Sequence, residues 1–89
     1  MKNSHLGVCI CSHVRDFERP VRLVIHDEDG DWQFLCGESD HHHDKPTFVG
    51  VSHLFQRDES LESIIDLNKG FEAERATVES EWVIRPYVE

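Results

Sequence analysis

The segment VRLVIHDEDGDWQFLC, residues 21–36, constrains the fold most strongly, because two aliphatic and aromatic runs flank an Asp-Gly pair. Glycine adopts a positive φ at little cost, so Asp29 and Gly30 suit the tight turn of a β-hairpin. With these two residues at the turn, Ile25 lies opposite Phe34. The predicted hairpin then has one core-facing side, made of five large side chains: Leu23, Ile25, Trp32, Phe34 and Cys36.

Two further segments have the composition of β-strands. Residues 6–12 predict a first strand, and the two-residue period of a strand places Cys9 and Cys11 on the same face. Residues 81–88, EWVIRPYV, predict a closing strand. Proline cannot donate a ladder hydrogen bond, so Pro86 confines this strand to the edge of a sheet or to its last residues.

The middle of the chain carries a helical pattern. Residues 48–51 form a short apolar run, which predicts either another hairpin partner or an extended lead into a helix. Apolar residues then recur at helical spacing through residues 52–67. We expect two short helices broken near residues 58–60, with Ser52 and Ser60 as candidate N-caps.

The predicted elements define an architecture. Residues 71–80 are compatible with a further short helix. A chain of 89 residues can bury roughly 60–65% of the surface that its unfolded form exposes, which is enough for one core. The fold class predicted is therefore α+β in a single domain, residues 1–89: an antiparallel sheet of about four strands with a short helical pair packed on one face.

The charge of the chain limits its partners. There are 18 acidic and 9 basic residues, which gives a formal net charge of −9. Nucleic acids and anionic membranes require a cationic face, so neither is expected as a partner. Between residues 27 and 44 there is no Lys or Arg but a run of seven acids: Asp27, Glu28, Asp29, Asp31, Glu38, Asp40 and Asp44. This run is either a solubilising surface or an acidic docking surface for a basic protein.

The segment CGESDHHHDKP, residues 36–46, raises the question of a metal site. Neutral imidazole is a common ligand of zinc, copper and nickel. Three adjacent histidines cannot all face one ion, but His41 and His43 could bind together, assisted by Asp40 or Asp44. The alternative is a solvated loop that acquires Zn or Ni only adventitiously, and we expect no physiological cofactor.

The cysteines suggest a compartment. The chain has three cysteines, Cys9, Cys11 and Cys36, and an odd, sparse set is not a disulfide framework. We expect reduced thiols packed in the core, with a metal site or a reactive thiol as the alternatives. No stretch has the apolar length of a signal peptide or of a membrane span, so a cytoplasmic protein is expected.

Several motifs carry a resemblance to a known family. The strings HDEDGDWQFLCG and VGVSHLFQRDESLESIIDLNKGFEAERATVESEW resemble a widespread family of small, uncharacterised bacterial proteins. The resemblance extends from about Cys9 to Trp82, and it implies that the large aromatic residues of these motifs are scaffold. The chain departs from the family pattern at Glu59, where a proline is expected, and at Asn68-Lys69. The W-x-F-L-x-G element is also similar to an immunity-protein-like domain, which implies toxin neutralisation.

These observations favour a function without catalysis. The sequence has no Gly-rich phosphate loop, no G-x-S-x-G element and no H-E-x-x-H motif, so an enzyme is unsupported. We expect a bacterial protein-interaction module that uses an acidic surface, with immunity-like toxin neutralisation as its candidate role. The alternative is a metal-binding protein that uses the His41–His43 loop.

Overall fold

A mixed six-stranded sheet dominates the computed structural model, which describes residues 6–38 and 47–88. The strands are β1 (Gly7–Ile10), β2 (Leu23–His26), β3 (Trp32–Leu35), β4 (Thr47–Gly50), β5 (Phe71–Glu74) and β6 (Val83–Pro86). They lie in the order β4-β1-β3-β2-β5-β6, and β1 pairs in parallel with β3 while the other neighbouring pairs are antiparallel. The predicted α+β class is confirmed, but the antiparallel sheet of about four strands is wrong.

The described residues also form three short helices: α1 (Ser12–Arg15), α2 (Val51–Arg57) and a 3-10 helix (Glu59–Asp66). The predicted break near residues 58–60 is confirmed. The predicted serine caps are wrong, because Gly50 precedes α2 and Asp58 precedes the 3-10 helix. The Asp58 carboxylate accepts a hydrogen bond from the backbone N–H of Ser60 at 3.0 Å, as an N-cap residue does.

The β2–β3 hairpin forms, but its register differs by one residue from the predicted one. Ile25 lies opposite Gln33, and Phe34 lies opposite Val24. The Gly30 N–H donates to the Asp27 carbonyl at 3.0 Å, and Gly30 has a φ of 93°. This is a three-residue loop built on a type I turn with a left-handed glycine, instead of the two-residue turn that we expected. A loop with an odd number of residues shifts the register by one residue. Leu23 and Ile25 therefore both lie on the face opposite to the predicted one.

Residues 71–74 form strand β5 instead of the helix that their composition allowed. The strand pairs antiparallel with β2 on one side and with β6 on the other. Ala73 is fully buried, whereas Glu72 and Glu74 point to the opposite face. Pairing with two neighbours therefore overrides the helix propensity of the FEAE sequence. The prediction of an edge strand around Pro86 is confirmed, because β6 ends the sheet.

The core lies on one face of the sheet, beneath the helices. The strands contribute Val8, Ile10, Val24, Trp32, Phe34 and Ala73 to it. The helices contribute Val14, Val51, Leu54, Leu61 and Ile64. These residues form one buried cluster, and the helix residues in it include every buried residue of the three helices.

A buried arginine fixes the segment after β5. Arg75 is 3% exposed, and its side chain donates to the Val21 carbonyl through Nε at 3.2 Å and Nη2 at 2.9 Å. It also donates to the Asp58 carboxylate at 2.8 Å and lies 4.3 Å from the centre of the Trp82 ring. The partly buried Trp82 ring therefore packs against the core and the Arg75 guanidinium.

Candidate functional site

The second face of the sheet carries no helix among residues 6–38 and 47–88, since the buried residues of all three helices lie in the core. Apart from Gly7 and Gly50, strand alternation places ten residues on this face, which we call the open face: Cys9, Leu23, Ile25, Gln33, Leu35, Phe48, Glu72, Glu74, Val83 and Arg85. One row of them, from Phe48 to Arg85, crosses all six strands. An antiparallel sheet with one solvated face normally carries polar residues there, so the apolar members of this face require an explanation.

The apolar members include strongly exposed side chains at both edges of the sheet. Phe48 on β4 is 76% exposed, and Val83 on β6 is 59% exposed. Ile25 lies between them in the central region, flanked by Gln33 and Glu72, and is buried. The open face therefore combines an aliphatic centre with accessible apolar groups at its rims, which is a feature of interaction surfaces.

Acidic groups surround this face. Glu72 and Glu74 form ion pairs with Arg85, which is the single base among the ten side chains of the open face. Asp27 and Asp31 lie just beyond the ends of β2 and β3, and the two-residue period of these strands places both acids on the side of the open face. The Asp27 N–H donates to the Asp31 carbonyl at 3.0 Å. Four acids therefore accompany one base on the open face and its margin.

The structure separates the acids of the predicted docking surface. Asp27, Glu28, Asp29 and Asp31 lie at the tip of the hairpin, where the Asp27 carboxylate accepts the backbone N–H groups of Asp29 and Asp31 at 2.9 and 3.1 Å. Glu38 lies at the other end of β3 and pairs with Arg22. Asp40 and Asp44, like His41 and His43 of the predicted metal loop, lie outside the described residues. Metal binding by that loop therefore stays a prediction.

A second group of reactive side chains lies on the helix side of the sheet. One ligand atom from each of Cys11, His13 and Cys36 lies within 4.8 Å of the other two. The Sγ atom of Cys36 is 3.7 Å from Nδ1 of His13. We call these three residues the thiol-imidazole cluster. Two of its members, Cys11 and Cys36, are buried, and His13 is half-buried.

The chain folds so that this cluster excludes Cys9. Strand β1 ends at Ile10, so the strand period does not reach Cys11, whose backbone instead leads into α1. Cys9 lies on the open face, whereas Cys11 is buried with the core. The prediction that Cys9 and Cys11 share a face is therefore wrong. The sequence signal for the cluster was the Cys11-x-His13 spacing at the junction between strand and helix. It was missed because the predicted strand extended through residue 12 and paired Cys11 with Cys9 instead.

The environment of the cluster affects its protonation. Burial raises the pKa of the Cys11 thiol, and this outweighs the backbone hydrogen bonds from Val14 and Cys36 that lower it. The neighbouring Cys36 side chain raises this pKa further. A guanidinium nitrogen of Arg19 lies 3.8 Å from the Cys36 sulfur and 3.4 Å from His13 Nδ1. The cluster therefore combines a protonated, buried thiol with a thiol beside a permanent cation.

Comparison of the chain with protein-family models, with curated proteins and with solved structures gave no match. Among the helices of the described residues, none is both long and apolar enough to span a lipid bilayer.

Proposed function

We propose that the protein is a non-enzymatic interaction module that binds a basic partner protein on the open face of its sheet. The observation that supports this most directly is the asymmetry of the sheet: the three helices in the described part of the chain all pack on one side. On the other side, Phe48 and Val83 remain exposed at the two edges. A partner that covers both residues would remove their exposed apolar surface from water, which contributes roughly 25 cal/mol for each Å² removed.

The charges around the open face select the partner. Asp27, Asp31, Glu72 and Glu74 oppose a single base, Arg85, and the whole chain has a net charge of −9. A second copy would bring acids against acids, which costs binding energy, whereas lysine and arginine side chains on a partner would meet them favourably. The occupant that we propose is therefore a protein surface that combines aliphatic groups with basic ones.

The family resemblance suggests where to search for this partner. Similarity to an immunity-protein-like domain makes a basic bacterial toxin domain the first candidate, and neutralisation would follow if the open face covered the toxin's own functional surface. We propose that this binding takes place in the cytoplasm. Acidic immunity proteins and basic toxin domains would associate through the electrostatic steering that opposite charges provide.

Two exposed valines provide a matched test. Val83 lies on the open face, and Val78 lies in the loop before it, where its carbonyl accepts a hydrogen bond from Arg75. A photo-crosslinking residue at position 48 would capture the partner from a bacterial lysate, and the purified partner would then be titrated against variants. Val83→Glu should weaken binding at least tenfold, and Val78→Glu should leave it unchanged.

Salt gives the second readout, because a partner held by opposite charges should bind less tightly as the ionic strength rises. Equal effects of the two valine substitutions would contradict the proposal. So would affinity for the purified partner that does not depend on salt, or a partner that crosslinks from position 78 and not from position 48.

A further inference from the structure

We propose that Cys11, His13 and Cys36 form a metal site of the zinc class, with two thiolate ligands, one imidazole ligand and a fourth position for water or an external ligand. This site is independent of the open face. It also differs from the His41–His43 loop in sequence position and in ligand type.

The spacing of the ligand atoms fits a tetrahedral ion. Zinc binds cysteine sulfur at about 2.3 Å and histidine nitrogen at about 2.0–2.1 Å, so tetrahedral angles place these two ligands roughly 3.6 Å apart and two sulfurs roughly 3.8 Å apart. The observed separation between Cys36 Sγ and His13 Nδ1 is 3.7 Å, and all three ligand atoms lie within 4.8 Å of one another. Binding would therefore require adjustments of side chains and no rearrangement of the fold.

The ligand types select the ion. Thiolate and imidazole are soft or borderline donors, which favour Zn²⁺ over Mg²⁺ and Ca²⁺ because the last two prefer oxygen ligands. Two thiolates with one neutral imidazole neutralise a divalent ion completely. The described residues provide three ligands in this cluster and no fourth, which is the arrangement of zinc sites that keep one position open.

Three different parts of the fold hold the ligands in place. Cys11 follows β1, Cys36 follows β3, and these two strands pair in parallel, so the two residues emerge from the same end of adjacent strands. His13 lies in α1, and its carbonyl accepts the backbone N–H groups of Glu18 and Arg19 at 2.8 and 3.2 Å. The ligands are therefore positioned before any ion binds, which lowers the entropic cost of binding.

Arg19 provides an outer contact for the site. Its guanidinium donates to the sulfur of Cys36 at 3.8 Å, which is the kind of N–H···S contact that supports a thiolate ligand. The same guanidinium nitrogen is 3.4 Å from His13 Nδ1. If Nδ1 is the atom of His13 that binds the ion, the Arg19 guanidinium must move away from Nδ1 while it keeps its contact with the Cys36 sulfur.

The test is a titration of untagged, reduced protein, purified without nickel resin, with Co²⁺ and then with Zn²⁺. The optical spectrum of the Co²⁺ complex should show thiolate-to-cobalt charge transfer and the intense visible bands of tetrahedral coordination. X-ray absorption of the Zn²⁺ form should show two sulfur ligands at about 2.3 Å and a nitrogen ligand at about 2.0 Å. Mass spectrometry should give one equivalent of zinc.

Variants identify the ligands. Cys11→Ala and Cys36→Ala should each lose the tetrahedral cobalt spectrum and at least tenfold in zinc affinity, and His13→Gln should also lose at least tenfold. Cys9→Ala is the matched control, and it should bind as the wild type does. The double variant His41→Ala/His43→Ala should also keep the site, which separates it from the predicted loop site.

Several outcomes would overturn the proposal. The first is a Co²⁺ spectrum of the wild type that lacks thiolate charge transfer. This outcome needs no variant, so it does not depend on whether an alanine variant folds. A thiolate spectrum that survives both Cys11→Ala and Cys36→Ala would also overturn it, as would metal binding that disappears only in the His41→Ala/His43→Ala variant.

Discussion

The guanidinium of Arg75 meets the carboxylate of Asp58 at 2.8 Å, with the arginine side chain 1% exposed and the aspartate side chain 25% exposed. Asp58 lies between α2 and the 3-10 helix, and Arg75 follows β5. The ion pair therefore joins the helical layer to the sheet. Hydrogen bonds from Arg75 to the Val21 carbonyl attach a third segment to the same point.

Replacement of this arginine should cost much more stability than replacement of an exposed one. Arg75→Lys replaces the three donor nitrogens of the guanidinium with one ammonium, which cannot reproduce the hydrogen bonds to both Asp58 and the Val21 carbonyl. We expect a loss of about 3 kcal/mol in the free energy of unfolding, measured with urea. The matched control is Arg85→Lys, whose side chain is 44% exposed in its ion pairs with Glu72 and Glu74, and it should lose much less stability because water screens exposed ion pairs. Similar losses in the two variants would show that Arg75 is not an anchor.

Acid should remove the contribution of Asp58. Burial alone would raise the pKa of this carboxyl group, but hydrogen bonds from Ser60 and Arg75 outweigh it and hold the pKa below its ordinary value of 3.8. A carboxyl group with a depressed folded-state pKa stabilises the fold above its unfolded-state pKa and loses that effect as the pH falls through the folded-state pKa. The difference in unfolding free energy between wild type and Asp58→Asn should therefore be constant well above pH 3.8, begin to shrink as the pH approaches 3.8, and be lost as the pH falls through the folded-state pKa. A difference that stays constant in strong acid would contradict this assignment.

The Phe17→Gly variant should be more stable than the Phe17→Ala variant. Phe17 has a φ of 63°, in the left-handed region that costs side-chain-bearing residues about 1–2 kcal/mol. Both substitutions remove the ring, which lies 3.8 Å from Arg57 Cζ, so they differ mainly in backbone strain. We expect the free energy of unfolding, measured with urea, to be about 1 kcal/mol higher for Phe17→Gly than for Phe17→Ala. At Val78, which has no positive φ, the same pair of substitutions should show the opposite order.

Zinc should stabilise the wild type through the thiol-imidazole cluster. An ion that binds the folded state alone, at a free concentration one hundred times its Kd, adds about 2.7 kcal/mol to the free energy of unfolding. Thermal unfolding with Zn²⁺ and then with EDTA should show this gain and its reversal. Cys36→Ala should show neither, while Cys9→Ala should respond as the wild type does. An equal response in both variants would place the ion elsewhere.

The sequence predicted the hairpin but not its register, and the reason is specific. An Asp-Gly pair fits both a two-residue turn and a three-residue loop, and the choice depends on Asp27, whose carboxylate accepts two backbone N–H groups of the loop. That hydrogen bonding is not visible in apolar periodicity. The parallel β1–β3 contact was equally inaccessible, because it joins segments that are distant in sequence.

The candidate sites were predicted only in part. Acidity was apparent from composition, and the separation of Glu38 from the hairpin tip follows from the strand between them. The open face could not be foreseen, because the one-residue shift moved Leu23 and Ile25 onto it. The burial of Arg75 could not be predicted, because an arginine in a polar segment usually remains in solvent and the groups that compensate its charge and cover it, Asp58 and Trp82, lie elsewhere in the sequence.

The parallel contact between β1 and β3 divides the sheet into two antiparallel blocks. One block contains β1 and β4, the other contains β3, β2, β5 and β6, and the seam between them rests on two residue pairs, Cys9 with Gln33 and Ile10 with Phe34. Partial unfolding that begins by opening this seam would free the smaller block as a unit. Cys11 and Cys36 lie on opposite sides of the same seam, so an ion bound by both would cross-link the two blocks. Amide hydrogen exchange in β1 and β4 would therefore slow when zinc is added.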